Sequence, residues 1–195
     1  MTSERDRLAV AVSPATRIAG GRVPAVASDI KSPSQPERVA GPFLKWAGGK
    51  GKLAPLVVER APSGIGRYHE PFVGGGAVFF AVFGAGSLGA GGAVLNDANG
   101  ELMECYRVVR DEVEQLIEAL AELAQGYLGL GHDERRAFYY ARRAEAPSLP
   151  VERAARLMFL NRTCYNGLYR VNSQGRFNVP HGRYANPRIL DEEGW

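Results

Sequence analysis

EPFVGGGAVFF, residues 70–80, follows a short run from Ile65 to His69 and carries three consecutive glycines directly into an apolar, helix-like segment. The order read from it is strand, tight loop, helix. Asp97, within LNDAN (95–99), comes 21 residues after Gly76. Glycines in such a turn let the backbone approach a nucleotide-like ligand, and an acidic residue about 20 positions on is placed to hold ribose hydroxyls. The pair predicts an adenosine-containing cofactor rather than a glycine-rich surface turn. Glu70 narrows the choice, because the pyrophosphate of a dinucleotide needs positive potential at this loop. A carboxylate there suits a cationic ligand such as a sulfonium, and the spacing is not the G-x-G-x-x-G of nicotinamide enzymes.

The chain has 195 residues and a net charge of +3, room for one ordinary domain, or one with a small companion. No apolar run approaches the roughly 18 to 20 residues that span a bilayer, and the N-terminus lacks the basic-then-apolar pattern of a secretory signal. No membrane partner is expected. Cys105 and Cys164 have no CxxC or histidine companion at ligand spacing, which predicts free thiols in a reducing cytosol and no metal. Gly48, Gly49 and Lys50 look like the end of a phosphate-binding loop, but Leu44 stands where its first glycine belongs and no Ser or Thr follows Lys50.

Charge distribution says more than net charge. From Arg153 through Leu190 there are seven arginines (153, 156, 162, 170, 176, 183 and 188), no lysine and no acidic residue, interleaved with Phe159, Tyr165, Tyr169, Phe177 and Tyr184. Guanidinium forks match phosphates and guanine edges, aromatic faces stack on bases, and an acid-free surface does not repel a polyanion. This pattern predicts a nucleic-acid partner, against the plainer reading of a solvated basic face.

Along the chain, residues 1–41 are rich in Ser, Pro, Ala and Val without periodicity and read as a disordered extension. A loop over 43–51 enters a helix of about 52–60, with Pro55 in its first turn. After the strand, glycine loop and helix, a second strand is expected over 93–96, giving two βα steps of a parallel sheet. Leu102, Tyr106, Val109, Val113, Leu116, Ile117, Leu120 and Leu123 recur at three and four and predict one amphipathic helix over about 99–124. Further helices are expected over 133–145, capped by Asp133, and 152–161. LYRVNSQGRFNV then reads as two short strands around a turn at 172–175, with Gly175 supplying a positive φ.

FLKWAGGK (43–50), EPFVGGG (70–76), LNDAN (95–99) and LNRTCYNGLYRVNSQGRFNVPHGRY (160–184) together resemble, in order and spacing, the Dam-type DNA adenine-N6 methyltransferases (D12 class, alpha group). The resemblance covers about residues 42–190. It implies an α/β fold: a partial Rossmann-like S-adenosylmethionine-dependent methyltransferase sheet with a helical target-recognition subdomain carrying a β-hairpin. It implies S-adenosyl-L-methionine as methyl donor, held by Trp46, Lys50, Glu70, Phe72, Gly74 and Asp97. In that role Trp46 gives an aromatic surface, Lys50 an ammonium for the donor's carboxylate, Phe72 and Gly74 a close wall, Asp97 an acceptor for the ribose diol, and Glu70 faces the cationic end. It further implies double-stranded DNA as partner, contacted by Lys45, Tyr165, Asn166, Leu168, Arg170, Arg183 and Tyr184. There an arginine reads guanine, a leucine touches the thymine methyl, and Tyr165 wedges into the duplex while the adenine flips out. Arg156 and Arg162 are expected as phosphate clamps or internal ion pairs. YNGLYR and FNVPHGRY are similar to relatives reading GATC.

One departure matters. The family's DPPY motif, whose acidic residue and proline carbonyl accept from the adenine amino group, occurs nowhere in the 195 residues, nor does NPPY or SPPY. No residue is therefore assigned a catalytic role. The layout expected is an extension over 1–41, the N-terminal part of a cofactor-binding domain over 42–100, a DNA target-recognition domain over 101–190, and the truncated start of the remaining catalytic domain over 191–195. Two strands alone would leave a sheet edge unpaired, which points to a truncated gene product or an incomplete sequence, with activity expected in the complete protein or in a complex with a separately encoded C-terminal half. A non-catalytic DNA-binding remnant and a different nucleotide-dependent enzyme stand as alternatives.

Overall fold

The computed structural model describes residues 10–12 and 40–190. Its sheet is centred on β3 (Ala93–Leu95), an apolar run with Ala93 and Leu95 buried. β2 (Tyr68–Glu70) lies parallel to it, in the register Tyr68 to Ala93 and Glu70 to Leu95. Parallel neighbours need a crossover, and α2 (Ala77–Gly84) supplies it directly after the glycines. The predicted strand–loop–helix–strand order is present, with β2 at the late end of the expected run and Ile65 making only an isolated bridge to Leu88.

On the other edge of β3 lies β1 (Val10–Val12), antiparallel, with Val10 opposite Leu95 and Val12 opposite Ala93. This corrects two expectations. Residues 10–12 belong to the sheet rather than to a disordered extension, and the β3 edge is paired within this chain. The physical reason is the Val-Ala-Val run at 10–12, whose ladder satisfies the edge carbonyls and amides of a buried strand. The readings of 1–9, 13–39 and 191–195 fall outside the described residues.

α1 (Ala54–Arg60) carries Pro55 in its first turn, as expected. The helix expected over 99–124 is two: α3 (Gly100–Asp111), capped by the Asn99 side chain accepting from the Leu102 amide, and α4 (Val113–Leu128). They part at Glu112, whose φ of −138° and ψ of 35° leave the helical region. Apolar spacing continues across the break, which is why periodicity does not reveal it. α5 (His132–Ala144) is capped at Gly131, whose amide donates to Glu134, so Asp133 sits inside the first turn instead of at the cap.

α6 (Pro150–Thr163) is the axis of the helical part. Ala154, Ala155, Leu157, Met158, Phe159, Leu160, Asn161 and Thr163 are all buried in it, and a helix covered on most sides sits inside its neighbours. Its core is continuous with that of the sheet: Phe43, Leu44, Val73, Phe79 and Leu95 join Leu102, Leu116, Phe159 and Leu160 in one cluster.

The hairpin expected over 168–179 is a tighter reversal. Val171 and Phe177 form one isolated antiparallel bridge, without strands of named length on either side. Asn172 explains the tightness, since its side-chain oxygen accepts from the amides of Gln174 and Arg176 and turns the chain locally. Gly175 has the expected positive φ, 74°.

Candidate functional site

The glycine loop is fixed from both sides of one residue. Gly74 donates its amide to Asp97 Oδ2 at 3.0 Å, and its carbonyl accepts from the Tyr106 hydroxyl at 3.0 Å. Asp97 Oδ1 accepts from the Asn99 amide, which leads into the α3 cap. Asp97 therefore sits just after β3 with its carboxylate against the loop that begins at the end of β2. Gly76 adopts a φ of 76°, and a Cβ there would lie 2.5 Å from the Tyr106 hydroxyl. Only glycine turns the chain there.

Glu70 is the last residue of β2. Its carboxylate accepts from the Tyr68 hydroxyl at 2.7 Å and from the Phe79 amide in the first turn of α2, where the helix dipole favours negative charge. Burial nevertheless dominates and raises its pKa. Burial also raises that of Tyr106, reinforced by the nearby charges of Glu70 and Asp97. Two carboxylates thus converge on the foot of the glycine loop.

Trp46 covers that loop. A Cβ at Gly74 would meet its indole at 3.1 Å, and one at Gly75 would meet its side chain at 3.3 Å. The opposite neighbour of the indole is Tyr169, stacked with ring centroids 4.8 Å apart and planes at 26°. Phe72, next to the loop, is 83% exposed. Lys50 is exposed too, its ammonium donating to the Gly48 carbonyl. Of the six residues expected around a donor, the structure groups Trp46, Glu70, Gly74 and Asp97 at the loop and leaves Phe72 and Lys50 at its solvent side.

The adjacent residue, Lys45, serves a second surface. Its stem packs on Gly167 and its ammonium lies 5.0 Å from the centre of the Tyr184 ring. Tyr165, Asn166, Arg183 and Tyr184 line one open cavity with His181 and Gly182. Asn166 holds a left-handed φ of 55° there, and Tyr165 is 56% exposed. Leu168 is exposed just beyond. Arg170 does not join this cavity: it is drawn across the reversal to Asn178, its Nε donating to the side-chain oxygen at 2.7 Å.

Part of the arginine-rich segment is turned inward, while Arg170, Arg176, Arg183 and Arg188 are exposed. Arg153 pairs with Glu104, Arg156 donates to the last carbonyls of α5 at Arg142 and Arg143, and Arg162 donates to the Phe43 carbonyl. For Arg156 and Arg162 the role is internal, through carbonyls rather than ion pairs. Guanidinium groups satisfy helix ends as readily as phosphates, and sequence does not tell the two apart.

Three residues carry the site without having been singled out. Asn161, 1% exposed, accepts from the Lys45 amide at 2.8 Å and donates to the carbonyls of Lys45 and Gly167 at 2.9 and 3.1 Å. A lone amide in the apolar run LMFLN was its signal. Tyr106 appeared only as a core position of an amphipathic helix. His181, hydrogen-bonded to the Tyr127 hydroxyl at 2.8 Å, had none.

Among the described residues no group of three or more His, Cys, Asp or Glu is placed to hold a metal, and no helix is long and apolar enough to cross a membrane. Cys105 and Cys164 are buried free thiols. Burial pushes the pKa of Cys164 up to about 11, which suits inert core positions.

Comparison with known proteins bears on the same segments. The sequence pattern of the D12 class N6 adenine-specific DNA methyltransferases matches residues 46–194. The type II methyltransferase M.MjaIII of Methanocaldococcus jannaschii is 45% identical over 162 residues, 78% of this chain and 55% of that protein. M1.LlaDCHI of Lactococcus lactis subsp. cremoris is 45% identical over 157 residues, 78% of this chain and 51% of its own length. A DNA adenine methylase of Serratia marcescens is 36% identical over 152 residues, 77% of this chain and 52% of its own. The chain spans about half the length of these relatives. It belongs to the D12 class N6 adenine-specific DNA methyltransferase family.

Proposed function

We propose that this chain supplies the donor-binding and target-recognition parts of a DNA adenine-N6 methyltransferase, with S-adenosyl-L-methionine as donor and a GATC-like duplex site as substrate. The observation that carries the reading is the placement of two neighbouring residues. Trp46 lies on Gly74 of the glycine loop, whose amide Asp97 holds, while Lys45 lies against Tyr184 in the cavity lined by Tyr165 and Arg183. A methyl group can pass only where donor and base meet, and this segment joins the two surfaces.

The residues present fit the donor. A loop without side chains admits close backbone approach, Asp97 stands as acceptor for a diol, and the half-buried Glu70 and Asp97 give the foot of the loop negative potential. When bound, the sulfonium supplies an electrophilic methyl group. The chain's own work is to hold the Gly74 peptide between Asp97 and Tyr106, cover the loop with the Trp46 indole, and present Tyr165 and Arg183 to a duplex from which the adenine is extruded. Acceptors for the adenine amino group, of the DPPY type, are not in this sequence, so the 195-residue chain is proposed to bind both ligands without methylating.

Calorimetry tests the donor assignment. S-adenosyl-L-methionine should bind, Asp97→Asn should weaken it by about 10-fold or more, and tight binding of a nicotinamide dinucleotide alone would refute the reading. N6-methyladenine formed by the isolated chain under single-turnover conditions would refute the inactivity.

A further inference from the structure

Tyr169 touches both Trp46 and the reversal at 168–179. Its ring stacks on Trp46, which covers the glycine loop, and meets Phe177 of the recognition reversal edge-on at 5.9 Å. Its hydroxyl donates to Glu101 in the first turn of α3, two residues after the Asn99 cap. In sequence it stands between Leu168 and Arg170, both assigned to DNA. Its ring is therefore common to the donor wall and to the segment that reads the duplex, and the Lys45 main chain beside Trp46 is clasped to the same segment through Asn161.

From this geometry we infer that Tyr169 is a positioning residue that links occupancy of the donor loop to placement of the DNA-reading segment, so that donor and duplex each strengthen the other's binding. The inference rests on the proposed donor-and-duplex reading. The ring has no reacting atom to touch; it acts through Trp46. A flat stack fixes the distance and tilt of two rings over a large shared area, so a shift of the indole on loading the glycine loop must move the Tyr169 ring, and with it Leu168 and Arg170. Coupling of this kind is reciprocal by thermodynamic necessity. Glu101 holds the hydroxyl and hence the ring plane, while the stack transmits.

The test is a linkage cycle on the full chain. Dissociation constants for S-adenosyl-L-methionine are measured by calorimetry with and without a GATC-containing duplex, and for the duplex with and without the donor. Wild type should show mutual strengthening of about 5-fold or more. Tyr169→Leu should bring that ratio to about 1 to 2, whereas Tyr169→Phe, which keeps the stack, should retain most of it. A merely structural residue would weaken both ligands and leave the ratio unchanged, and that result overturns the inference. A second measurement needs no variant of Tyr169. In a Trp195→Phe background Trp46 is the remaining tryptophan, and duplex alone should change its emission; an unchanged spectrum on confirmed duplex binding also overturns it. Failure of wild type to bind either ligand would instead remove the underlying reading.

Discussion

Replacing Asn161 with leucine should destabilise the protein by about 3 kcal/mol. The figure follows from what the side chain does. It is fully buried in α6 and makes three hydrogen bonds, one accepted from the Lys45 amide and two donated to the carbonyls of Lys45 and Gly167. Each is worth about 0.5 to 1.5 kcal/mol net; leucine keeps the branched framework, and its bulkier methyl groups add strain in the same direction. For a chain of this size that corresponds to a fall in Tm of about 6 to 12 °C. Urea titration and calorimetry measure it, and duplex affinity should fall as well, because the bonds released are those that hold Lys45 beside the cavity. Asn161→Asp sharpens the test. The acceptor for the Lys45 amide remains, but both donors are lost and a carboxylate faces two carbonyl oxygens, so its charged form is disfavoured in the fold. The folded state then takes up a proton more readily than the unfolded chain, and stability of this variant should rise as pH falls through the carboxylate range. A loss below about 1 kcal/mol for Asn161→Leu, or a pH trend of opposite sign for Asn161→Asp, would refute the clasp.

Gly76→Ala should cost about 2 to 4 kcal/mol, combining left-handed backbone strain with a Cβ 2.5 Å from the Tyr106 hydroxyl; Gly86→Ala, at φ 66° with nothing within 4 Å, should cost about 1 to 2. Equal losses in denaturant titrations would show that the Tyr106 contact is not the cause. Arg183→Ala should lower the slope of log affinity for duplex against log salt by about 1, whereas Arg156→Met should leave the slope alone and instead lower stability, since its guanidinium caps α5. His181 is held below its ordinary pKa, first by burial and then by His132, Arg136 and Arg135; Tyr127 and Tyr139 are packed against its ring. The unfolded chain therefore binds the proton first, so the His181 contribution is present above about pH 6.5 and is lost as pH falls toward the folded-state pKa. Urea titrations from about pH 7.5 to about pH 5 should show a smaller decline in His181→Gln than in wild type, and equal declines would count against this histidine.

Legibility in the sequence follows the range of the interactions. The glycine loop and Asp97 could be read because their chemistry is backbone chemistry: glycines report where the chain must turn tightly, and the strand–helix–strand unit brings Asp97 back to Gly74 by its own length. Pro55 in a first turn and the αL Gly175 are local in the same way. Arg153, Arg156 and Arg162 could not be told from the exposed arginines because a guanidinium is equally suited to phosphate, carboxylate or carbonyl. Nothing within a few residues of Arg156 announces that the end of α5 lies 13 and 14 positions upstream and in reach. β1 failed for a related reason, since three valine and alanine residues in a Pro-rich stretch acquire meaning only from the open edge of β3 about 80 residues later. Asn161 is the extreme case: its partner backbone at Lys45 is 116 positions away, yet it ties the Lys45 main chain to the Gly167 turn. An amide in an otherwise apolar helix run is costly unless satisfied, so its presence in LMFLN already required three nearby backbone groups or their equivalent. What the sequence withheld was which segments would bring them: the chain at Lys45, next to Trp46, and the turn at Gly167.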